Sequence, residues 1–323
     1  MKKMLVTGGM GFIGSNFIRI YLESDTDLQI VNLDKLTYAG YPENLRDLEE
    51  DNRYEFIRGD VCDPVAVERA MKDCDNIVHF AAESHVDRSI EDPSSFIRTD
   101  VHGTFVLLEQ ARKNEVDKFV QISTDEVYGT IPEGYSSVEG DPLMPRNPYS
   151  ASKAGADRLA YSYFATYDLP VIITRASNNY GPRQYPEKLI PLFVTNLIEG
   201  KKVPLMGDGK NVRDWLNVVD HCRAIDHLID RGKDGEVYNV AGENEKENIE
   251  ITRIILDELG LNKDMIDWVP DRLGHDRRYS MNCDKLKSTG WKQEKEFETG
   301  IRETIRWYVD HPDWWKPLKR VVS

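Results

Sequence analysis

The sequence of 323 residues contains no apolar run long enough to cross a membrane, no internal repeat and no low-complexity tract. We therefore expect neither a membrane-spanning chain nor a repeat array. Positive charge is also in the minority, since 42 Lys and Arg residues stand against 56 Asp and Glu residues, for a formal net charge of −14. A chain this acidic is not expected to bind nucleic acid or anionic membranes, so an anionic small ligand would need a local basic site.

Cysteine is scarce, and the four cysteines, Cys62, Cys74, Cys222 and Cys283, form no Cys-x-x-Cys pair. This spacing indicates reduced thiols and a cytoplasmic protein, and we predict no metal site. The apolar start at Met4 is too short for the core of a signal peptide. The length favours about two domains, and 40% hydrophobic with 30% charged residues is typical of a soluble protein.

A glycine-rich turn follows the first predicted strand, residues 4–7. It reads Gly-Gly-Met-Gly-Phe-Ile-Gly over residues 8–14, and apolar side chains then recur at helical spacing. This order of strand, glycine turn and helix is the context that the dinucleotide motif requires. The glycines let the backbone approach a pyrophosphate, which lies at the N-terminus of the helix. The alternative is a glycine turn without a cofactor.

Strands and helices continue to alternate after this turn. A strand at 28–33 ends at Asp34, whose carboxylate would bond ribose hydroxyls and repel a 2′-phosphate, which favours NAD over NADP. Further strands are predicted at 54–57, 76–80, 119–122 and 169–173, with a long helix at 94–113. The pattern predicts an α/β fold with a Rossmann-type doubly wound parallel sheet, in which ligands bind beyond the carboxyl ends of the strands.

Three polar residues, Thr124, Asp125 and Glu126, directly follow the predicted strand at 119–122. They place a hydroxyl and two carboxylates at the edge of the sheet where a cofactor is expected. Such a pair can supply an acid and a base, although a solvated corner or a helix cap is the commoner use of these residues. His85 and Asp87 are predicted in a loop at the same edge.

Tyr149 and Lys153 are four residues apart and follow Pro148, which favours a helix start. Their spacing puts both side chains on one face of the helix. A neighbouring ammonium lowers the pKa of a phenol, so the pair can form a phenolate base. A solvated pair on a helix surface is the alternative.

The alternation ends near residue 182, which divides the chain into a cofactor domain at 1–182 and a smaller, mixed C-terminal domain at 183–323, with some exchange of elements between them. Helices are predicted at about 186–199, 218–231, 248–259 and 296–309, separated by charged, glycine-bearing loops. Residues 271–279 contain three arginines and a histidine. Because arginine matches phosphate oxygens, this cluster is a candidate diphosphate site, with a solvated loop as the alternative.

Several segments together carry a family resemblance, namely residues 8–14, 81–89, 123–129, 149–153, 177–182 and 274–279. Over nearly its whole length the chain resembles the extended short-chain dehydrogenase/reductase superfamily, and within it the dTDP-glucose 4,6-dehydratases. The 4-epimerases of the superfamily share the hydroxyl, the tyrosine and the lysine but differ at the two carboxylates. Asp125 and Glu126 therefore indicate dehydration.

The resemblance implies a chemistry in which NAD stays bound and is regenerated in each turnover. Tyr149, whose pKa Lys153 lowers, takes the proton from the C4 hydroxyl as hydride leaves C4, and Thr124 bonds that oxygen. Glu126 then removes the C5 proton, and a protonated Asp125 gives its proton to the departing C6 hydroxyl. Return of the hydride to C6 and of a proton to C5 yields a 4-keto-6-deoxy sugar nucleotide.

The motifs and the resemblance together predict two groups of binding residues. The predicted cofactor residues are Gly8, Gly11, Phe12, Ile13, Gly14, Asp34, Lys35, Leu36, Thr37, Asp60, Val61, Phe80, Ala81, Ala82, Ser84, Thr99, Tyr149, Lys153 and Asn179. The predicted substrate residues are Ser84, His85, Thr124, Asn178, Lys188, Leu189, Pro204, Leu205, Met206, Arg213, Asn248, Arg272, His275, Arg278 and Tyr279.

The predicted partner is a nucleotide-sugar, either dTDP-glucose or UDP-glucose, since the sequence does not distinguish thymine from uracil. The family implies a homodimer that pairs through the helices at 94–113 and 149–167. Two other functions stay open. One is an NAD-dependent sugar-nucleotide 4-epimerase or decarboxylase that uses Tyr149 and Lys153 without elimination, and the other is a non-catalytic NAD-binding protein of the same fold.

Overall fold

A computed structural model of the chain describes residues 2–24 and 27–319. Strands and helices alternate through its first half, and the second half is mixed. The strands are β1 (Lys2–Thr7), β2 (Leu28–Asp34), β3 (Tyr54–Arg58), β4 (Asn76–His79), β5 (Lys118–Thr124), β6 (Val171–Ala176), β7 (Asn178–Tyr180), β8 (Val203–Met206), β9 (Val212–Asn217), β10 (Val237–Val240), β11 (Glu245–Glu247) and β12 (Ile266–Val269). The α-helices are α1 (Phe12–Ser24), α2 (Pro64–Met71), α3 (Val86–Glu91), α4 (Pro93–Phe96), α5 (Thr104–Lys113), α6 (Pro148–Tyr167), α7 (Leu189–Ile198), α8 (Val218–Arg231), α9 (Asn248–Glu258), α10 (Asp284–Ser288), α11 (Phe297–Asp310) and α12 (Pro312–Lys319).

Seven of the described strands form one parallel sheet in the order β3-β2-β1-β4-β5-β6-β10. Both faces of this sheet are buried, because helices cover each side. Leu5 packs with α2, α5 and α6 on one face, whereas Met4 and Val6 pack with α1 and α8 on the other. The predicted doubly wound parallel sheet is confirmed. None of the described helices combines the length and the apolar composition needed to cross a membrane.

The C-terminal part has its own apolar core, formed between α7, α9 and α11 with Trp315 fully buried. Small sheets lie beside it, one of order β11-β9-β7 and one that pairs β12 with β8. From this part of the chain, β10 pairs with β6 in the main sheet and α8 packs on α1. The division at residue 182 stays a prediction.

Local differences from the predicted elements have physical causes. The region between the predicted helices at 186–199 and 218–231 was expected to be a loop, but it contains β8 and β9, two short strands of four and six residues. Asp87 lies in α3 rather than in a loop. The predicted helix at 94–113 is present as α4 and α5, joined by a π-helical segment, Ile97–Gly103.

Helix α6 begins where Pro148 predicted, and its start is reinforced by a capping box. The Asn147 side chain accepts from the Ser150 N–H at 2.8 Å, and the Ser150 hydroxyl accepts from the Asn147 N–H at 3.3 Å. Both bonds satisfy N–H groups that the first turn of a helix leaves without partners. They also hold Tyr149 and Lys153 at a defined height beside β5.

A buried ion pair ties α6 to β6. Arg175 donates two hydrogen bonds to Asp157, from Nε at 2.8 Å and from an Nη at 3.1 Å, and both side chains are buried. We predict that Arg175→Met lowers the free energy of unfolding by about 3–5 kcal/mol, because it leaves a buried carboxylate without its main partner. Urea unfolding followed by circular dichroism measures this loss.

The matched control is Arg158→Met, since Arg158 bonds the same carboxylate but is about half exposed. We expect this variant to lose at most about 1 kcal/mol, as is usual for exposed ion pairs. Equal losses in the two variants would contradict the assignment of the stability to the buried pair.

Candidate active site

Two adjoining cavities lie at the carboxyl edge of the main sheet. The larger one, of about 300 Å³, is lined by the glycine turn after β1, by the segment after β4, by β2 and β5, and by the start of α6. The smaller one, of about 190 Å³, lies between this edge and the C-terminal part. Six residues line both cavities, namely Glu126, Asn178, Asn179, Gln184, Glu187 and Lys188. A ligand can therefore extend from one into the other at Glu126.

The glycine turn forms one wall of the larger cavity. A Cβ at Gly8 would lie 2.6 Å from the backbone nitrogen of Ala81, and one at Gly14 would lie 2.5 Å from the Gly8 oxygen. At Gly11 a Cβ would lie 3.3 Å from the Gly8 oxygen, which is still tighter than ordinary contact, and Gly11 itself lines the cavity. Because α1 begins directly afterwards, its N-terminal N–H groups and dipole make this wall suited to a phosphate group.

Asp34 lies at the end of β2 as predicted and is fixed by the backbone. Its carboxylate accepts from the Met10 N–H at 2.9 Å and from the Leu36 N–H at 2.8 Å. Burial raises the pKa of Asp34, while these two bonds lower it. Of the predicted cofactor residues, only Leu36 is absent from the wall of the larger cavity, and its side chain packs against the core instead.

The Thr-Asp-Glu triplet stands where β5 ends and a short 3₁₀ turn, Asp125–Tyr128, begins. Thr124 caps this turn, since its hydroxyl accepts from the Glu126 N–H at 3.3 Å. The same hydroxyl donates to a carboxyl oxygen of Asp125 at 3.1 Å. All three side chains line the larger cavity, as the sequence predicted.

Asp125 is arranged to keep a proton. It is buried, and among the described residues its second carboxyl oxygen has no hydrogen-bond partner. Burial, together with the neighbouring carboxylates of Glu126 and Asp214, raises the pKa of Asp125 well above its ordinary value. A carboxyl group in this state can donate a proton at neutral pH, which is what an acid catalyst needs.

Tyr149 and Lys153 are both buried in the wall of the larger cavity. The Lys153 ammonium donates to the Ile122 carbonyl at 2.7 Å, and burial lowers its pKa. Burial and the carboxylates of Glu126 and Asp100 raise the pKa of Tyr149 well above its ordinary value. A base at this position therefore needs compensating positive charge beside the ring.

Asp100 is a neighbour of this pair that sequence reasoning missed. It is almost fully buried in the π-helical segment and accepts from the Ser152 hydroxyl at 2.5 Å and the Glu83 N–H at 2.9 Å. Burial raises the pKa of Asp100 to about 6, although Lys153 opposes this. A single aspartate inside a helix has no signal in the sequence, so only the folded structure identifies it.

The smaller cavity collects most of the predicted substrate residues. Those that line it are His85, Asn178, Lys188, Leu189, Pro204, Leu205, Met206, Arg213, Asn248, Arg272 and His275. Within the described part of the chain, several of their buried polar atoms have no hydrogen-bond partner, namely His85 Nδ1, Asn178 Oδ1, Asn248 Oδ1 and Arg272 Nε. Because buried polar groups are normally paired, these atoms indicate a polar ligand. The cationic residues of the smaller cavity form the local basic site that an anionic ligand requires.

Four predicted substrate residues lie elsewhere. Ser84 and Thr124 line the larger cavity. Arg278 is ion-paired to Glu245 at 2.6 Å, outside both cavities. Tyr279 is buried behind Glu126. Contact of these residues with a substrate stays a prediction.

Glu187 was also missed, although it lines both cavities. Its carboxylate accepts from the Tyr38 hydroxyl at 2.9 Å and lies 3.6 Å from Nε of Arg88. The Arg88 guanidinium in turn lies 3.8 Å from the centre of the Tyr38 ring. These three residues form a bridge between the segment after β2 and the segment before α7.

Known proteins resemble this chain in sequence and in fold. A family model described as GDP-mannose 4,6 dehydratase matches residues 5–304. The chain is 50% identical to a dTDP-glucose 4,6-dehydratase of Streptomyces antibioticus, covering 98% of this chain and 95% of that protein. The solved structure of a dTDP-glucose 4,6-dehydratase from Streptomyces venezuelae with NAD bound is 48% identical, has a TM-score of 0.96, and is matched over 98% of this chain and 99% of that one. A UDP-glucose 4-epimerase of Thermus thermophilus in complex with NAD is 31% identical, with a TM-score of 0.88 over 96% of this chain and 99% of that one.

Proposed function

We propose that the chain is an NAD-dependent dTDP-glucose 4,6-dehydratase, as its motifs predicted. It belongs to the family whose model is described as GDP-mannose 4,6 dehydratase, and it is 50% identical to a dTDP-glucose 4,6-dehydratase. This hydro-lyase forms dTDP-4-keto-6-deoxyglucose and water and serves deoxysugar biosynthesis. The observation that carries the proposal is the Asp125–Glu126 pair in one cavity with Tyr149 and Lys153. Oxidation at C4 needs one base, whereas only an elimination also needs an acid and a second base.

The larger cavity fits NAD. We assign the pyrophosphate to the glycine turn and the start of α1, because Gly8, Gly11 and Gly14 line the cavity there. The adenosine ribose is assigned to Asp34, and the nicotinamide end to the wall that holds Tyr149 and Lys153. When bound, NAD supplies the chemistry of accepting a hydride from C4 and returning it to C6.

The first step is a proton transfer at the C4 hydroxyl. Tyr149 takes this proton, and Thr124 donates a hydrogen bond to the same oxygen. The positive charges of Lys153 and the oxidised nicotinamide offset the burial and the carboxylates that raise the pKa of Tyr149. Loss of this proton, together with the hydride that NAD would accept from C4 when bound, leaves a 4-keto sugar, whose C5 proton is acidic.

The second step removes water. Glu126 takes the C5 proton, and the electron pair of the broken C–H bond forms the C5–C6 double bond as the C6–O bond breaks. Asp125 gives its proton to the departing oxygen, which leaves as water. The raised pKa of Asp125 supports this division of roles, because the acid and the base must hold opposite protonation states.

The nucleoside diphosphate is assigned to the smaller cavity, where Lys188, Arg213 and Arg272 can bind phosphate oxygens. The glucosyl group then reaches Glu126 where the two cavities meet. UDP-glucose is the close alternative substrate, since thymine and uracil differ by one methyl group, worth about 1 kcal/mol of apolar burial. A 4-epimerase is the less favoured alternative, because it leaves the acid at Asp125 without a use.

The test is to incubate the purified protein with dTDP-glucose, and separately with UDP-glucose, without added NAD. We expect mass spectrometry to show a product lighter by one water, formed faster from dTDP-glucose. Faster loss of water from UDP-glucose would show that the preferred nucleobase is uracil rather than thymine. Conversion to the galactose isomer with no change of mass would establish the epimerase, and no reaction even with added NAD would overturn the proposed substrates.

We further propose that the bridge of Tyr38, Arg88 and Glu187 helps to retain NAD between turnovers, because it joins two walls of the larger cavity. Tyr38→Phe removes only the hydrogen bond to Glu187. We expect NAD to dissociate about tenfold faster, as the loss of about 1.4 kcal/mol predicts. NAD content after gel filtration measures this effect. Tyr135→Phe is the control, since Tyr135 bonds Asp141 in an exposed loop, and equal NAD loss in both variants would contradict the role of the bridge.

A homodimer and a cytoplasmic location remain proposals, as do a nucleotide-sugar as the small-molecule partner and the lack of nucleic-acid or membrane partners. Exposed apolar side chains support the homodimer. They lie on α5, α6 and the π-helical segment, the region through which we expect two copies to pair, and include Ile97, Phe105, Tyr161 and Tyr167. Sedimentation analysis of the NAD-bound protein tests this assembly.

A further inference from the structure

Tyr279 and Asp276 form a buried pair directly behind Glu126. The Tyr279 hydroxyl lies 2.7 Å from one carboxylate oxygen of Asp276 and 3.2 Å from an oxygen of Glu126. Both members of the pair are almost fully buried. The Arg213 guanidinium covers the tyrosine ring at 4.2 Å and also donates to the Asp276 carbonyl at 3.0 Å. The phenol therefore has a fixed position between two carboxylates.

A phenol has one proton, so it can donate to only one of these neighbours. Burial and the nearby carboxylate of Glu126 raise the pKa of Tyr279 far above its ordinary value, so the phenol keeps its proton. The shorter distance is to Asp276, whose other oxygen is held by Thr130 and, at 3.4 Å, by Arg146. The proton consequently goes to Asp276, and the Tyr279 oxygen presents lone pairs to Glu126.

We propose that Asp276 and Tyr279 are positioning residues that orient Glu126 and accept the hydrogen bond of the proton that Glu126 takes from C5. This inference rests on the proposed function, in which Glu126 removes the C5 proton. Once Glu126 has taken the C5 proton, it can donate a hydrogen bond to the Tyr279 oxygen, which stabilises the product of this step. The C5 proton ends on Glu126, its electron pair enters the C5–C6 double bond, and neither Tyr279 nor Asp276 gains or loses a proton.

The backbone around Asp276 is held independently of its side chain. The Ile131 N–H donates to the Arg278 carbonyl at 2.9 Å, and the Ser137 N–H donates to the Ser280 carbonyl at 3.0 Å. These bonds join the segment at 131–137 to the segment at 278–280 whatever residue stands at 276. Substitution of the Asp276 side chain therefore tests its hydrogen bonds more than the loop that carries it.

The principal variant is Asp276→Asn. Asparagine can donate to the phenol oxygen, which lets the phenol donate to the Glu126 carboxylate and stabilise this base before it takes the C5 proton. We expect kcat to fall about 10- to 100-fold, with KM changed less than about threefold. The kinetic isotope effect of C5-deuterated dTDP-glucose should rise and that of C4-deuterated substrate should not, because only proton removal becomes slower.

Tyr279→Phe is the second variant, since it keeps the ring beneath Arg213 and removes only the hydroxyl. It should also raise the C5 isotope effect, and adding Asp276→Asn to it should change that effect no further, because Asp276 acts through the phenol. Thr130→Val is the control, because it removes a bond on the outer side of Asp276 and should leave both isotope effects unchanged.

The outcomes separate this inference from the proposed function. Failure of the wild-type protein to dehydrate dTDP-glucose would overturn the proposed function itself. If the wild-type protein dehydrates dTDP-glucose normally, either of two results would overturn only the inference. One is that Asp276→Asn slows the C4 and C5 isotope-sensitive steps alike. The other is that Asp276→Asn acts as strongly in the Tyr279→Phe variant as it does alone. If Asp276→Asn does not fold, an unchanged C5 isotope effect in Tyr279→Phe overturns it in the same way.

Discussion

Tyr149→Phe should abolish the first oxidation and lower kcat by about 10²- to 10⁴-fold, the usual contribution of a positioned base. The substitution removes one hydroxyl and leaves the ring, which packs edge-on against Phe96 with centroids 6.2 Å apart. We therefore expect the fold and the NAD content to be unchanged. Activity would be lost because the proton of the C4 hydroxyl has no other base beside it in the proposed arrangement.

A single-turnover measurement identifies the blocked step. With dTDP-glucose the variant should show no absorbance of reduced NAD, because hydride transfer cannot begin while the C4 hydroxyl keeps its proton. Tyr163→Phe is a matched control on the same helix, since its hydroxyl bonds Glu109 outside both cavities. Reduction of NAD at the wild-type rate in Tyr149→Phe would show that another group removes the proton.

Glu126→Gln should block the reaction one step later. Glutamine preserves the shape of the side chain but cannot accept the C5 proton, so elimination should slow by about 10²- to 10⁴-fold while oxidation at C4 continues. We expect reduced NAD to accumulate together with the 4-keto form of the intact sugar. Rapid quenching followed by mass spectrometry detects this sugar, because it has not lost water.

The exchange of hydrogen at C5 provides a second readout for Glu126→Gln. In heavy water the wild-type product should carry deuterium at C5, and the variant should incorporate it much more slowly. Glu133→Gln, an exposed glutamate of the loop that follows the 3₁₀ turn, serves as the control and should behave as the wild type. Normal turnover by Glu126→Gln would make the assignment of this base wrong.

The two variants change residues that belong to local sequence patterns, and such patterns could be identified from the sequence. The glycine turn is recognisable because only residues without a Cβ fit the space beside Ala81. Tyr149 and Lys153 are recognisable because a helical spacing of four is a local property of the backbone. The carboxylates at 125 and 126 follow a strand, and parallel strands bring their carboxyl ends to one edge. These patterns were sufficient for the fold, the cofactor class and the reaction type.

Other features depend on contacts between distant parts of the chain. Strand β10 joins the main sheet beside β6, and the bridge from Tyr38 reaches Glu187 across 149 positions of sequence. Tyr279 reaches Glu126 across 153 positions. No local spacing encodes such pairs, because they form only when the C-terminal part packs against the main sheet.

The protonation states depend on folding in the same way. The sequence indicated that two adjacent carboxyl groups need different environments, and it named the residues. Burial of Asp125 beside the carboxylates of Glu126 and Asp214 raises its pKa, which is the physical reason why Asp125 keeps its proton, as the family resemblance implied. Since desolvation is a property of the surrounding packing and not of the residue, local sequence established the chemical groups of this site, and the tertiary structure established their charge.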